Sequence, residues 1–262
     1  LQDQRWTFDK VTGYWREGLP MLDQVVWHVN TDEQARVTAL RNGEIHITTF
    51  ENPTMLDLVA GDSAITSVDQ PTTNYWILFQ NAHQPELADE RVRQAIVLGI
   101  DRTQLKDVAM FGRAQETGPI SAAYPTMARP MSEIPFHTRD VERAKQLLAD
   151  AGYGSGLKLP LLITPVLTAS VPMAEIVKAQ LAEIGVEIEI VQRDLATFVQ
   201  EYIGEIPTKA HLTISWWAGY SDPYMILLEL ASNASAPFFD MSDAAIDDLL
   251  SKAATTLDPA ER

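Results

Sequence analysis

Cysteine is absent from the 262 residues. That removes disulfides, thiolate metal sites and cysteine nucleophiles together, and it fits any redox compartment. Bases are scarce. Lys and Arg number 20 against 36 Asp and Glu, a formal net charge of −16. So acidic a body repels phosphate backbones and anionic lipid, which argues against a nucleic-acid partner. No apolar run approaches the ~18 residues of a membrane span. No signal peptide or targeting segment is visible.

Catalytic and metal motifs are also missing. There is no Walker lysine motif. Gly152-Tyr153-Gly154-Ser155-Gly156 follows a helical pattern and precedes a strand, the reverse of a dinucleotide loop, so it reads as a helix stop and turn. Ser155 is not at the centre of a nucleophile elbow. The five histidines (His28, His46, His83, His137, His211) are dispersed without metal-ligand spacing. No cofactor or metal is expected. An enzyme assembled from distant Ser, His and Asp, in the manner of an α/β hydrolase, stays open as an alternative. A signalling or chaperone-like subunit that needs no solute is a third possibility.

What is present is an ordinary globular composition, 46% hydrophobic and 21% charged. The pattern along the chain alternates between two periods. Strands are expected at Leu22 to Asn30, Glu44 to Phe50, Asn74 to Asn81, Leu157 to Thr164, Val186 to Val191 and Leu212 to Ser215. Asn74 to Asn81 is a near-continuous apolar run, which suggests burial on both faces. Helices are expected at Asp32 to Asn42, Pro53 to Val59, Asp89 to Ile100, after Asp101, and at Asp140 to Ala151, Val171 to Ile184, Leu195 to Ile203, Tyr224 to Leu230 and Ser242 to Ala254. Arg113 to Pro135 carries Pro119, Pro125, Pro130 and Pro135 and reads as a long irregular loop. Alternation at these lengths predicts an α/β layered fold. A domain border is expected at residues 81 to 88.

The stretch Leu212 to Tyr224, LTISWWAGYSDPY, is the candidate site. A short buried strand runs into Trp216 and Trp217, then Gly219, Tyr220 and a Ser221-Asp222-Pro223 turn. Pro223 disfavours helix at Asp222, and Asp222 is placed to cap the helix beyond. Ligand sites of α/β folds gather at strand ends, and these aromatics carry polar handles. The competing reading makes the tryptophans ordinary core residues. The chain opens on Leu1, and Asp258-Pro259-Ala260-Glu261 has the form of a helix start. Both features suggest an internal piece of a longer protein.

At Glu90 to Ile120, ERVRQAIVLGIDRTQL followed by FGRAQETGPI resembles the family 5 extracellular solute-binding proteins of ABC transporters, which include dipeptide, oligopeptide, nickel and glutathione receptors. GYWREGLPMLDQVVWHV, ARVTALRNGEIHI, DVERAKQLLADAGY and AEIVKAQLAEIGVEIEI are similar to further segments of that family, in the same order. The resemblance implies a periplasmic-binding-protein-like α/β fold (class II, two-lobed) that closes on a solute. Residues 1 to 80 would be part of the first lobe and 81 to 262 most of the second. It further implies a periplasmic or lipid-anchored location, membrane permease subunits as partners, and solute contacts at Trp216, Trp217, Gly219, Tyr220 and Asp222. In dipeptide receptors the position matching Gly219 is an aspartate that receives the α-amine, and an arginine near the place of Thr164 takes the carboxylate. Both charged anchors are absent here. The resemblance therefore implies a longer peptide held by its backbone, or a non-peptide solute.

Overall fold

A computed structural model describes residues 5–204, 208–231, 243–258 and 260–262. The chain divides into two compact units, Leu1–Val68 and Asp69–Arg262.

In the first unit, β1 (Arg5–Asp9) pairs antiparallel with β2 (Gln24–His28), setting Trp6 opposite Trp27 and Phe8 opposite Val25. α1 (Glu33–Arg41) starts where the Asp32 carboxylate accepts the Ala35 N–H. α2 (Met55–Val59) packs Met55 and Val59 with Val37 of α1 in a small core. The strand expected at Glu44 to Phe50 does not form. Its alternation would bury Ile47, which is 88% exposed. The backbone there has no ladder partner among the described residues; instead the Glu44 and Ile45 N–H groups donate to the Ala39 carbonyl and the Thr49 carbonyl accepts from Arg36.

The second unit is built on a four-stranded sheet in the order β3-β6-β4-β5. β4 (Leu157–Ile163) runs parallel to β5 (Val186–Gln192) and to β6 (Leu212–Trp217), while β3 (Tyr75–Gln80) pairs antiparallel with β6. β3 thus belongs to the sheet of this unit, although the border expected at residues 81 to 88 grouped it with the preceding lobe. β3 is also an edge strand. Of its side chains only Phe79 is fully buried, so burial on both faces does not hold for the rest.

One sheet face carries Leu159, Leu161 and Ile163 of β4, Val186 and Ile188 of β5, and Leu212 and Ile214 of β6. It packs under α4 (Glu90–Gly99), α6 (Val141–Asp150) and α7 (Ser170–Ala182), which contribute Val92, Ile96, Leu148, Val177 and Leu181. Gly99 is held to glycine by this packing. A Cβ there would lie 2.9 Å from both Ile184 and Leu181 side chains. The opposite face, with Leu162 and Phe79, packs under Phe198 and Tyr202 of α8 (Leu195–Ile203). Asn81, fully buried at the end of β3, donates to the Thr208 and Ala210 carbonyls at 2.7 Å and so ties β3 to the segment leading into β6.

Asp89, Asp140 and Asp194 cap α4, α6 and α8 by accepting backbone N–H groups, which is why these starts were legible. A short helix, α3 (Pro85–Ala88), lies within the segment expected as a domain border, with Pro85 in its first turn. After Asp101, α5 (Arg102–Gln104) widens into a π-helical turn over Leu105–Ala109. Residues 113 to 135 are irregular apart from one 3₁₀ turn at Met131–Glu133. Beyond β6 come α9 (Tyr224–Leu227), a 3₁₀ turn at Leu228–Leu230, and α10 (Ala244–Thr255). Ser242 and Pro259, where further helix starts are expected, lie outside the described residues. No helix among the described residues is long and apolar enough to cross a membrane.

Candidate functional site

β6 extends through both tryptophans, two residues beyond the expected end at Ser215. The pairing with β3 carries it on: Trp216 lies opposite Trp76 and Trp217 opposite Tyr75. Strand alternation then sends the two tryptophans to opposite faces. Trp217 turns toward α8, 5.0 Å from Phe79 between ring centroids, in the cluster with Leu162, Phe198 and Tyr202. Trp216 turns to the other face and is 45% exposed. The two rings therefore face opposite sides of the sheet. Trp217 is a packing residue, and Trp216 keeps a free ring face.

Gly219 lies opposite Thr73 if the β3–β6 register is continued. The approach is close: a Cβ at Gly219 would fall 1.9 Å from Thr73 Oγ1 and 2.3 Å from its Cβ. A side chain at 219 is thus excluded by backbone placement. The Gly219 N–H donates to the Asn74 carboxamide oxygen. The Tyr124 hydroxyl donates to the Tyr220 carbonyl, and the Tyr220 ring is 41% exposed. Two more bonds fasten the irregular loop to the start of β3. Tyr75 OH donates to the Pro119 carbonyl at 2.9 Å, and Ser121 OH to the Thr72 carbonyl at 2.8 Å. Burial, with Tyr124 adding to it, pushes the Tyr75 phenol up to about 12.

The Asp222 carboxylate accepts the Tyr224 N–H at 2.9 Å and pairs with Arg262 at 2.7 Å. The cap is one residue removed, because Pro223 is the N-cap of α9 and Asp222 closes a turn onto Tyr224. The Tyr224 N–H and then Arg262 hold the Asp222 pKa below the usual carboxylate range. Arg262 also sits over the Tyr224 ring at 5.8 Å. Arg113, a candidate cation of the long loop, pairs with Asp69 at 3.8 Å.

Thr164, at the end of β4, is fully buried. Its carbonyl accepts Ser170 Oγ at 2.8 Å and the Leu167 N–H at 3.1 Å, which closes the turn into α7. Among the described residues its hydroxyl has no hydrogen-bond partner, and neither have Thr213 Oγ1 and Trp217 Nε1. The structure thus places Trp216, Gly219 and Tyr220 at the open end of β6, buries Thr164, and packs a partly buried Trp217 against the α8 cluster. Thr73, Asn74, Tyr75 and Tyr124 join the site from distant parts of the chain. No group of three His, Asp or Glu that could hold a metal ion occurs among the described residues.

Residues 2–238 match the model of the bacterial extracellular solute-binding proteins, family 5 Middle. The chain belongs to this family. It is 28% identical to the dipeptide-binding protein of Escherichia coli (strain K12) over 90% of this chain and 44% of that protein. It is 27% identical to the glutathione-binding protein GsiB of the same organism over 97% of this chain and 50% of that protein. Among solved structures, the periplasmic binding protein DppA of Helicobacter pylori in complex with peptide STSA superposes with a TM-score of 0.77 at 25% identity, covering 99% of this chain and 50% of that one. The chain thus has the α/β fold of periplasmic binding proteins and spans about half the length of the curated relatives it matches.

Proposed function

We propose that the chain is part of an extracytoplasmic receptor of an ABC importer, and that it takes a peptide or another small polar solute at the open end of β6 for delivery to a membrane permease. The family match supports the reading. The single observation that carries the site is the pair of exposed rings, Trp216 at the end of β6 and Tyr220 in the turn beyond, where Asn74 and Tyr124 hold the turn from two separate segments. A large exposed aromatic on a fixed backbone offers contact area with little conformational entropy to lose, which is what a binding surface requires. The relatives are named for dipeptide and glutathione, and the solved neighbour holds a peptide. On this reading the receptor acts by binding its solute and releasing it unchanged. A periplasmic or lipid-anchored location accompanies this role.

Native mass spectrometry of the protein purified without denaturation tests the reading. The expected result is a co-purified small molecule, or a thermal shift with one member of a peptide and small-solute panel. Absence of both, or steady turnover of an ester or peptide, would overturn it.

A further inference from the structure

Among the described residues, 113–135 contribute no side chain to the buried apolar clusters. Polar contacts hold this loop instead, and they lead to two places far apart in the chain. At the approach to β3, Arg113 pairs with Asp69 at 3.8 Å, Ser121 Oγ donates to the Thr72 carbonyl and Tyr75 OH donates to the Pro119 carbonyl. Beyond β6, the Tyr124 hydroxyl donates to the Tyr220 carbonyl. Those two places also meet each other. Asn74 accepts the Gly219 N–H, and Thr73 fills the space a side chain at 219 would need. The contacts therefore close a ring: loop to β3 approach, β3 approach to the turn at 219 and 220, turn back to loop. The joints share pieces. Ser121 and Tyr124 sit on one turn of the loop, with the Tyr124 N–H donating to the Ser121 carbonyl at 3.0 Å. Thr72, Asn74 and Tyr75 lie on one short segment.

We propose that this ring is a clasp that opens and closes as one unit while the β4–β5 core stays folded. No joint can part without moving a piece that holds another. Parting at Tyr220 moves the loop turn that carries Ser121, and parting at Thr72 moves the segment that carries Asn74. An element held by a few polar bonds, with little buried apolar area behind it, opens at a lower free energy than the core. Each bond lost from such an element shifts its opening equilibrium by about fivefold. The turn at 219 and 220 is then free to change shape only when the loop has also let go of the β3 approach. On the receptor reading, on which this consequence alone rests, the loop thereby governs when the backbone of the candidate site can move.

Amide hydrogen exchange on the whole chain, under conditions where exchange follows the opening equilibrium, tests the clasp. No solute is added, so the outcome is independent of the receptor reading. In Tyr124→Phe the Gly219 amide, which is bonded to Asn74 and not to Tyr124, should exchange about fivefold faster. In Asn74→Ala the Ala122 and Ala128 amides, bonded within the loop to Thr117 and Tyr124, should speed up by about the same factor. Ser121→Ala removes only contacts of the loop and the β3 approach. It should accelerate Gly219 likewise, and it serves if Tyr124→Phe folds poorly. Amides of the β4–β5 ladder should keep wild-type rates in all three. Acceleration confined to the residues each substitution touches would overturn the proposal. Equal acceleration of the β4–β5 amides in variants that remain folded would also overturn it, because the effect would then be one of global stability.

Discussion

Trp216 and Trp217 are adjacent in the chain and lie on opposite faces of one sheet, the first across from Trp76 and half exposed, the second tilted against Phe79 beneath α8. The two rings therefore have separable roles. Trp217→Ala should destabilise the fold by about 2 kcal/mol, less than the cost of emptying a fully buried aromatic position because the ring is partly buried. Trp216→Ala should leave stability within about 0.5 kcal/mol, as for exposed positions in general, and should weaken solute binding. Urea denaturation of both variants checks this. A large stability loss in Trp216→Ala would contradict the assignment.

Thr213 is 1% exposed, and its hydroxyl has no hydrogen-bond partner among the described residues. Burying such a group without a partner costs about 1–3 kcal/mol. Thr213→Val keeps the shape and removes the hydroxyl. It should raise the denaturation midpoint, whereas Ile163→Ala, at a fully buried position of β4, should lower stability by about 2–5 kcal/mol. Equilibrium unfolding of the two variants beside the wild type reads both signs.

Gly99 faces Ile184 and Leu181 across the α4–α7 packing, with 2.9 Å available to a Cβ. Gly99→Ala would gain helix propensity in isolation but must push both side chains aside. The expected net result is a loss of about 1–3 kcal/mol from overpacking, seen as a lower melting temperature. A gain would show that the interface has slack there.

Ionisation adds two limits on stability. Asp89 is lowered from 3.8 to about 2, chiefly by its side-chain bond with Arg91. A depressed carboxylate contributes stability that is present above its unfolded value and lost as the pH falls through the folded one. That contribution should fade between about pH 4 and pH 2, and Asp89→Asn should flatten the acid profile there. The exposed position keeps the effect small. Tyr75 behaves oppositely. Its phenol rises from 10.0 to about 12, so its contribution is complete below pH 10 and is lost as the pH climbs toward 12. Tyr75→Phe should remove that alkaline component, which absorbance of the phenolates and a melting series at high pH would report.

Much of the second unit was legible because its helices and strands are buried on predictable stripes. Leu157 to Val191 reads directly as strand, helix, strand, with Asp140 and Asp194 marking helix starts on either side. The misreadings share one cause, tertiary pairing. The alternating segment at Glu44 to Phe50 lacks a partner strand, and β6 runs past Ser215 because β3 holds it. The opposed tryptophans follow from alternation once that extension is known. The clasp was not legible. Asn74 meets Gly219 across 145 residues of chain and Tyr124 meets Tyr220 across 96, and no local pattern encodes such contacts. Gly219 did stand out in the sequence, as the place where a charged anchor is absent, but the reason only appears with Thr73 beside it.

The most direct measurement of the receptor reading is native mass spectrometry on three proteins purified in parallel: wild type, Trp216→Ala and Trp217→Phe. A co-purified small molecule should accompany wild type and Trp217→Phe and be lost from Trp216→Ala while that variant stays folded. A solute retained by Trp216→Ala, or none on any of the three with no ligand-induced thermal shift, would contradict the site at the end of β6.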